Sequence, residues 1–383
     1  MRIVNYNLFA VPPRWLFLRV ETEEGLVGWG EPIVEGRVNT VATAVNELMQ
    51  KYVLKLRAER IEDIWQVLYR CGFYRGGPIL MSALAGIDQA LWDIKGKILG
   101  VPIYELLGGA CRDRVRVYRW IGGDEPDKVV EEAETAIRQG FTALKMNISG
   151  KTHFIETPQK IREIISRVAR VREVIGENID LALDFHGRVS PALAPKLVRA
   201  LEPFSPLFVE EPIYPLIIEH LVNLKKITTI PIAFGERLYT RWDFKPYLVA
   251  GVLDIVQPDV SHAGGITECR KIATLAETFG ALVAFHCPLG PIALAACIQL
   301  AAVTHNFLIQ ETSLKIHYNE GVEITDYLLD PNVFSLDEGF VRLPSKPGLG
   351  IEIDEAAVKE GAKNWRDWAN PVWRYSNGSI AEW

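Results

Sequence analysis

Three acidic residues recur in this chain at equal intervals. Asp184, Glu210 and Glu236 are each separated by 26 positions, and each closes a short apolar run: Ile179–Leu183, Pro206–Val209 and Ile232–Phe234. That interval fits one β-strand, one helix and two short loops. An acid at the C-terminal end of each strand in a repeating βα unit describes metal ligands at the mouth of a barrel. Carboxylates without a thiolate or histidine cluster favour a hard cation, hence Mg²⁺. Such an ion can hold a substrate carboxylate and stabilise the enolate left when the α-proton departs. The competing reading is that the acids form buried salt bridges with Lys145, Arg188 and Arg237. The threefold recurrence argues against it.

The other strand ends carry further chemistry. The second strand offers Lys145 and Asn147, and the third pairs Asp184 with His186, two positions apart and so on the same side. The sixth offers Asp259 and His262, the seventh His286, and the eighth Glu311. Charged groups in such a row are costly unless they bind something. Lys145, His186 and His286 are the candidate bases. Asp259 lies on the strand next to His286, where a carboxylate on one ring nitrogen orients the imidazole and raises its basicity. His186, beside a metal ligand and across the mouth, is placed to protonate a leaving hydroxyl. His262 and His317 fall on mouth-side loops within reach of a substrate. His153 and His220 read as surface residues, and His305 lies at the wrong end of the barrel.

The elements that must position these groups follow from periodicity. Residues 1–115 read as an α+β domain. Strands at Ile3–Ala10, Leu16–Thr22 and Leu26–Trp29 precede helices at Asn39–Lys55, Ile61–Tyr69 and Pro78–Leu99. From Val115 to about residue 328 strands and helices alternate. Eight strands are predicted, at Val115–Trp120, Ala143–Met146, Ile179–Leu183, Leu207–Glu210, Ile232–Phe234, Ile255–Gln257, Leu282–Ala284 and Phe307–Gln310. The fold class is therefore α/β, a (β/α)₈-type barrel with an α+β N-terminal domain. Residues from about 329 to 383 are expected to return to that first domain. Val341–Leu343 and Ile351–Ile353 would extend its sheet, and Trp365, Trp368, Trp373 and Trp383 mark a packed tail.

Composition narrows the partners. The chain has 383 residues, with 42 Lys and Arg against 48 Asp and Glu, for a net charge of −6. No basic block recommends a nucleic acid. No run of about 18 uncharged apolar residues recommends a membrane span. The five cysteines are widely spaced, without a C-x-x-C pair, and fit a reduced, cytoplasmic setting. The N-terminal residues lack the pattern of a signal peptide.

The motifs also carry a family resemblance. Ala85 to Lys97, running on to Pro102, Leu106, Leu107 and Gly108, and then Leu183–His186 through Val209–Pro212, resemble the two signatures of the mandelate racemase branch of the enolase superfamily. The likeness covers essentially the whole chain. Within the branch it is to aldonate dehydratases, carried by 73–79, 184–188, 257–265, 286–291 and 316–319. It implies an N-terminal domain that caps the barrel. It implies Asp184, Glu210 and Glu236 as Mg²⁺ ligands, and His286 paired with Asp259 as the base at C2. His186 becomes the acid at C3, and Glu311 and Lys145 partners of the substrate carboxylate or enediolate. The implied reaction is dehydration of a sugar acid, D-galactonate foremost, with gluconate or arabinonate as alternatives. A homo-oligomer, octamers among them, is implied as well. Capping loops in this family close over the barrel, which makes Arg14, Tyr74 and Arg75 candidate contacts to the distal end of the substrate; Asn147 is a further contact. The racemase K-x-K is Lys145-Met146-Asn147 here. An amide cannot take a proton at neutral pH, so one-base chemistry followed by loss of water is favoured over racemisation.

Overall fold

A computed structural model describes residues 1–122, 126–214, 216–316, 319 and 321–383. His317 lies outside the described residues. The chain opens with an antiparallel sheet of β1 (Ile3–Val11), β2 (Trp15–Thr22) and β3 (Val27–Gly30). Four helices follow: α1 (Val38–Leu48), α2 (Ile61–Arg70), α3 (Pro78–Leu99) and α4 (Ile103–Leu106). α3 starts on Pro78 and stops at Gly100, whose left-handed φ of 69° suits a residue without Cβ. It lies directly on the sheet: a Cβ on Gly30 would come within 1.9 Å of the Gly86 carbonyl.

The barrel then alternates strand and helix: β4 (Arg114–Ile121), α5 (Pro126–Arg138), β5 (Ala143–Asn147), α6 (Pro158–Ile175), β6 (Asp180–Asp184) and α7 (Ala194–Leu201). It continues with β7 (Val209–Glu210), α8 (Ile218–Lys225), β8 (Ile232–Phe234), α9 (Arg241–Val249), β9 (Ile255–Val256), α10 (Gly265–Thr278), β10 (Leu282–Val283), α11 (Pro291–Val303) and β11 (Gln310–Thr312). Neighbouring strands from β4 to β10 pair in parallel. The ring closes because β11 pairs with β4 and Phe307 bridges Val283. One buried cluster fills its interior: Tyr118, Ala143, Ala182, Phe208, Ala233, Ile255, Ala284 and Ile309, one from each strand or the residue beside it. Its alanines complement the bulk of Tyr118 and Phe208.

The tail departs from expectation. β12 (Leu336–Asp337) and β13 (Phe340–Arg342) form a hairpin whose second strand pairs with β4, Val341 opposite Val115. These strands therefore extend the barrel sheet and not the N-terminal one, which keeps three strands. Residues 351–353 contribute a bridge from Ile353 to Leu328 and no strand. Contact with the first domain is made by a backbone bridge from Gly348 to Pro102 and by side chains. Glu355, at the start of α12 (Glu355–Asn364), pairs with Arg19 at 3.0 Å, and the Tyr327 hydroxyl donates to the Pro12 carbonyl at 2.9 Å.

Candidate active site

The inward parity of the strands carries the chemistry to the mouth. Two residues beyond the interior layer stand Lys145, Asp184, Glu210, His286 and Glu311; four beyond it stands Asp259. Glu236 is three residues past Ala233, so its strand must change parity. Gly235 does this with a φ of 155°, where an added Cβ would sit 2.8 Å from the Gln257 backbone.

These groups form one buried circuit. The Lys145 ammonium lies 2.9 Å from Glu210, 2.8 Å from Glu311 and 3.7 Å from Asp184. His286 Nδ1 is 2.7 Å from Asp259 Oδ2, and its Nε2 is 3.1 Å from Glu236 and 3.8 Å from Glu311. The Cys287 amide donates to Glu311 at 3.0 Å. Five carboxylates thus face one lysine and one imidazole. Burial drives the Glu210 carboxyl up to about 8, with Lys145 opposing and Asp184, Glu311 and Glu236 adding to the rise. Lys145 is held well above its ordinary range by Glu210 and Glu311 against the cost of burial. The His286 imidazole is likewise held well above its usual value, because burial is outweighed by the carboxylates of Glu236 and Glu311 and by its bond to Asp259.

His186 stands on the other side. Its φ of 51° places it in the left-handed region, and its amide donates to Asp184 Oδ1 at 2.6 Å. Burial lowers its pKa, with Asp184 and Glu236 pulling the other way. Its buried Nδ1 has no hydrogen-bond partner. In a ring of eight strands, β6 and β10 are four apart, so His186 and His286 face each other across the mouth.

Several predicted residues are placed differently. Asn147 accepts from the Trp120 indole at 3.3 Å at the rim. Arg14 is 4 % exposed, paired with Glu35 at 2.9 Å and lying 5.8 Å over the Trp368 ring. It lies against the tail that packs, through Trp368 and Trp383, on His186. Tyr74 is 86 % exposed beside Phe73, and the Arg75 guanidinium lies 6.0 Å over Tyr69. That loop points to solvent, so neither residue joins the circuit. His262 comes closer than expected, with Nδ1 3.6 Å from Asp259. The salt-bridge reading of the three acids is partly present. Lys145 does bridge Asp184 and Glu210, and Arg237 touches Glu236 at 3.5 Å and Glu211 at 3.0 Å. Arg188 instead donates to the Ser149 carbonyl and lies over Trp373.

Sequence reasoning missed one wall of the site. Trp383 meets the His186 ring edge-on at 6.0 Å and packs on Trp368 at 5.9 Å. Nothing local to Trp383 signals this, since nearly 200 positions separate the two rings in sequence.

Two donor sets stand at the mouth. Asp259, His262 and His286 offer atoms within 4.8 Å of one another. There the Asp259–His286 hydrogen bond already engages the donors, as in a base dyad. Asp184, Glu210 and Glu236 form the all-oxygen set. Glu210 Oε1 in that set is buried and unpartnered, an acceptor that lacks a positive partner. Its donors are oxygens alone, the kind a hard divalent cation prefers, while among the described residues only the Asp259 set has its donor atoms gathered within 4.8 Å.

Comparison with known proteins agrees with this architecture. Residues 12–108 match the mandelate racemase / muconate lactonizing enzyme N-terminal domain, and residues 128–357 the enolase C-terminal domain-like family. The chain belongs to the mandelate racemase branch of the enolase superfamily. It is an enzyme of the hydro-lyase class. Over 383 residues, all of both chains, it is 51 % identical to the D-galactonate dehydratase of Variovorax paradoxus (strain S110) and 52 % identical to that of Ralstonia pickettii (strain 12J). An enolase from Agrobacterium radiobacter, solved with Na and L-malate bound, superimposes with a TM-score of 0.89 at 30 % identity over all of both chains.

Proposed function

We propose that the chain dehydrates D-galactonate to the 2-keto-3-deoxy acid. The observation that carries the reading is the 2.7 Å Asp259–His286 bond beside a carboxylate cluster, with His186 facing it. Relatives of equal length bear the D-galactonate dehydratase name, and the Agrobacterium neighbour holds L-malate, itself a 2-hydroxy acid.

Asp184, Glu210 and Glu236 would hold Mg²⁺, which supplies the positive charge that acidifies a proton next to a carboxylate. His286 Nε2 takes the C2 proton. Asp259 on Nδ1 keeps the ring in register and stabilises the imidazolium that forms. Lys145 and Glu311 face the charge that develops on the substrate carboxylate. His186 donates a proton to the C3 hydroxyl, which leaves as water, and the enol becomes the keto acid. His186 serves as that acid from its protonated form, which Asp184 and Glu236 favour against the cost of burial. With base and acid on opposite strands, the elimination is anti.

The test is a panel of aldonates with Mg²⁺, read by keto-acid formation, using the wild-type chain and His286→Asn. D-Galactonate should be consumed by the wild type and not by the variant. Preference for gluconate or arabinonate would reassign the substrate. No keto acid from any aldonate would leave a sugar-acid-binding barrel. Turnover by His286→Asn would remove the base assignment.

A further inference from the structure

The N-terminal domain holds polar residues that the chemistry above does not use, one in α3 and one just after β3. Gln89 and Glu31 are completely buried, far from the substrate carboxylate's partners in sequence, and both belong to the N-terminal domain. Each reaches into the barrel. Glu31 accepts the Gly290 amide at 2.7 Å and the Ala293 amide at 2.9 Å. These lie at the start of α11, where unpaired N–H groups and the helix dipole favour a carboxylate. Gly290 is four residues after His286. Gln89 donates to the Val260 carbonyl at 3.2 Å and the Ser261 hydroxyl at 3.1 Å. Those follow Asp259 directly. The two contacts are joined, because the Glu31 amide donates to Gln89 Oε1 at 2.8 Å.

We infer that Glu31 and Gln89 are positioning residues for the catalytic base. They clamp the loop after His286 and the loop after Asp259 to one point of the N-terminal domain, and so set the geometry of the dyad. The glycine at 290 fits this role: a Cβ there would lie 2.6 Å from a Glu31 oxygen, so the close approach needs a residue without a side chain. His286 and Asp259 sit at strand ends that pair only through a single bridge. Among the described residues no strand pairing continues beyond that bridge; the Cys287 amide on Glu311 and the Ser261 and His262 amides on Asp259 hold the loops from within the barrel, and Glu31 and Gln89 tie them to the N-terminal domain.

The inference rests on the proposed base role of His286, so the experiment carries His286→Asn alongside. Glu31→Ala, Glu31→Gln and Asp93→Asn are compared with the wild type at a temperature well below every melting midpoint. Asp93 is an equally buried α3 carboxylate that accepts the Trp29 and Leu349 amides at 3.0 and 2.9 Å, pairs with Lys97 at 2.7 Å and touches neither loop. It reports what loss of a buried polar contact does by itself. A misplaced base is expected to lower kcat for dehydration and for C2 proton exchange by the same factor, roughly 10- to 100-fold, with KM within about threefold. Glu31→Gln keeps one acceptor oxygen and is expected to recover part of that loss. Should Glu31→Ala fail to fold, Glu31→Gln carries the same comparison. Asp93→Asn should keep kcat near wild type despite a lower midpoint. If the folded Glu31 variants lose no more kcat than Asp93→Asn, the clamp is structural only and the inference is overturned. If His286→Asn itself turns over, the base reading fails, and the clamp with it.

Discussion

His186 and His286 are chemically alike in sequence and opposite in setting. His286 has a carboxylate on each ring nitrogen, which favours its protonated form, and an aspartate locks its orientation. His186 has a buried, unpartnered Nδ1 and a ring edge against Trp383. The first arrangement orients one ring nitrogen toward the mouth, and His286 acts as base once that nitrogen is unprotonated. The second leaves His186 with a ring nitrogen uncommitted to the protein. The assignment has a separable consequence. In D₂O, His186→Asn should still exchange the C2 proton of the aldonate, while dehydration falls about 10²- to 10⁴-fold, the usual worth of one general acid. Loss of exchange along with dehydration would mean that the two roles are not divided this way.

At the level of elements, two barrel helices begin on carboxylates supplied by the N-terminal domain. Glu31 caps α11, and Asp88 caps α10 by accepting the Thr267 amide at 3.0 Å and its hydroxyl at 2.5 Å. Burial pushes Glu31 to about 8 and Asp88 to about 7, with the helix N–H bonds opposing in both cases. Lys271 also lowers Asp88, and the Asp259 carboxylate raises Glu31. Both folded values exceed those of the unfolded chain, about 4. Between the two, the folded state binds more protons, so these groups lose stability for the protein as pH rises. The loss begins near the unfolded pKa and is complete above about 7 for Asp88. Asp88→Asn removes that term. The melting temperature of the variant relative to wild type should therefore be higher at pH 8 than at pH 5. An unchanged or reversed difference would show that the cap is ionised without penalty throughout.

For the whole molecule, the dominant feature is an excess of buried negative charge at the barrel mouth. Lys145 and His286 partly compensate it, and Arg237 joins from the rim. A cation bound only by the folded chain stabilises it by mass action, about 2.7 kcal/mol when free Mg²⁺ is a hundred times its dissociation constant. Calorimetry with and without EDTA should show this shift, and Asp184→Ala should abolish it. A shift that survives Asp184→Ala but is lost in His262→Ala would move the cation to the Asp259–His262–His286 set. Among the described residues no helix is long and apolar enough to cross a membrane.

Much of this was legible before any fold was known. The equal spacing of Asp184, Glu210 and Glu236 reports the repeat length of a βα unit, a local property, and strand parity then sends each acid inward. The eight strands were located to within a few residues for the same reason. Gly235 is the one place where parity alone would have misled, and its glycine allows the shift. The tail was not legible. Residues 336–342 have the same β-forming character whichever sheet they join, and only the start of β4, residues 114–116, which runs ahead of its pairing with β5 and β11, decided the partner. Arg14, Tyr74 and Arg75 were assigned by analogy with loops, whose paths depend on packing far away in sequence. Trp383 and Glu31 meet the active site through contacts that span most of the chain. Sequence alone determined which residues can carry charge and protons at the barrel mouth, because that follows from local periodicity. Only the tertiary structure decided what holds and covers them, because long-range contacts leave no local pattern.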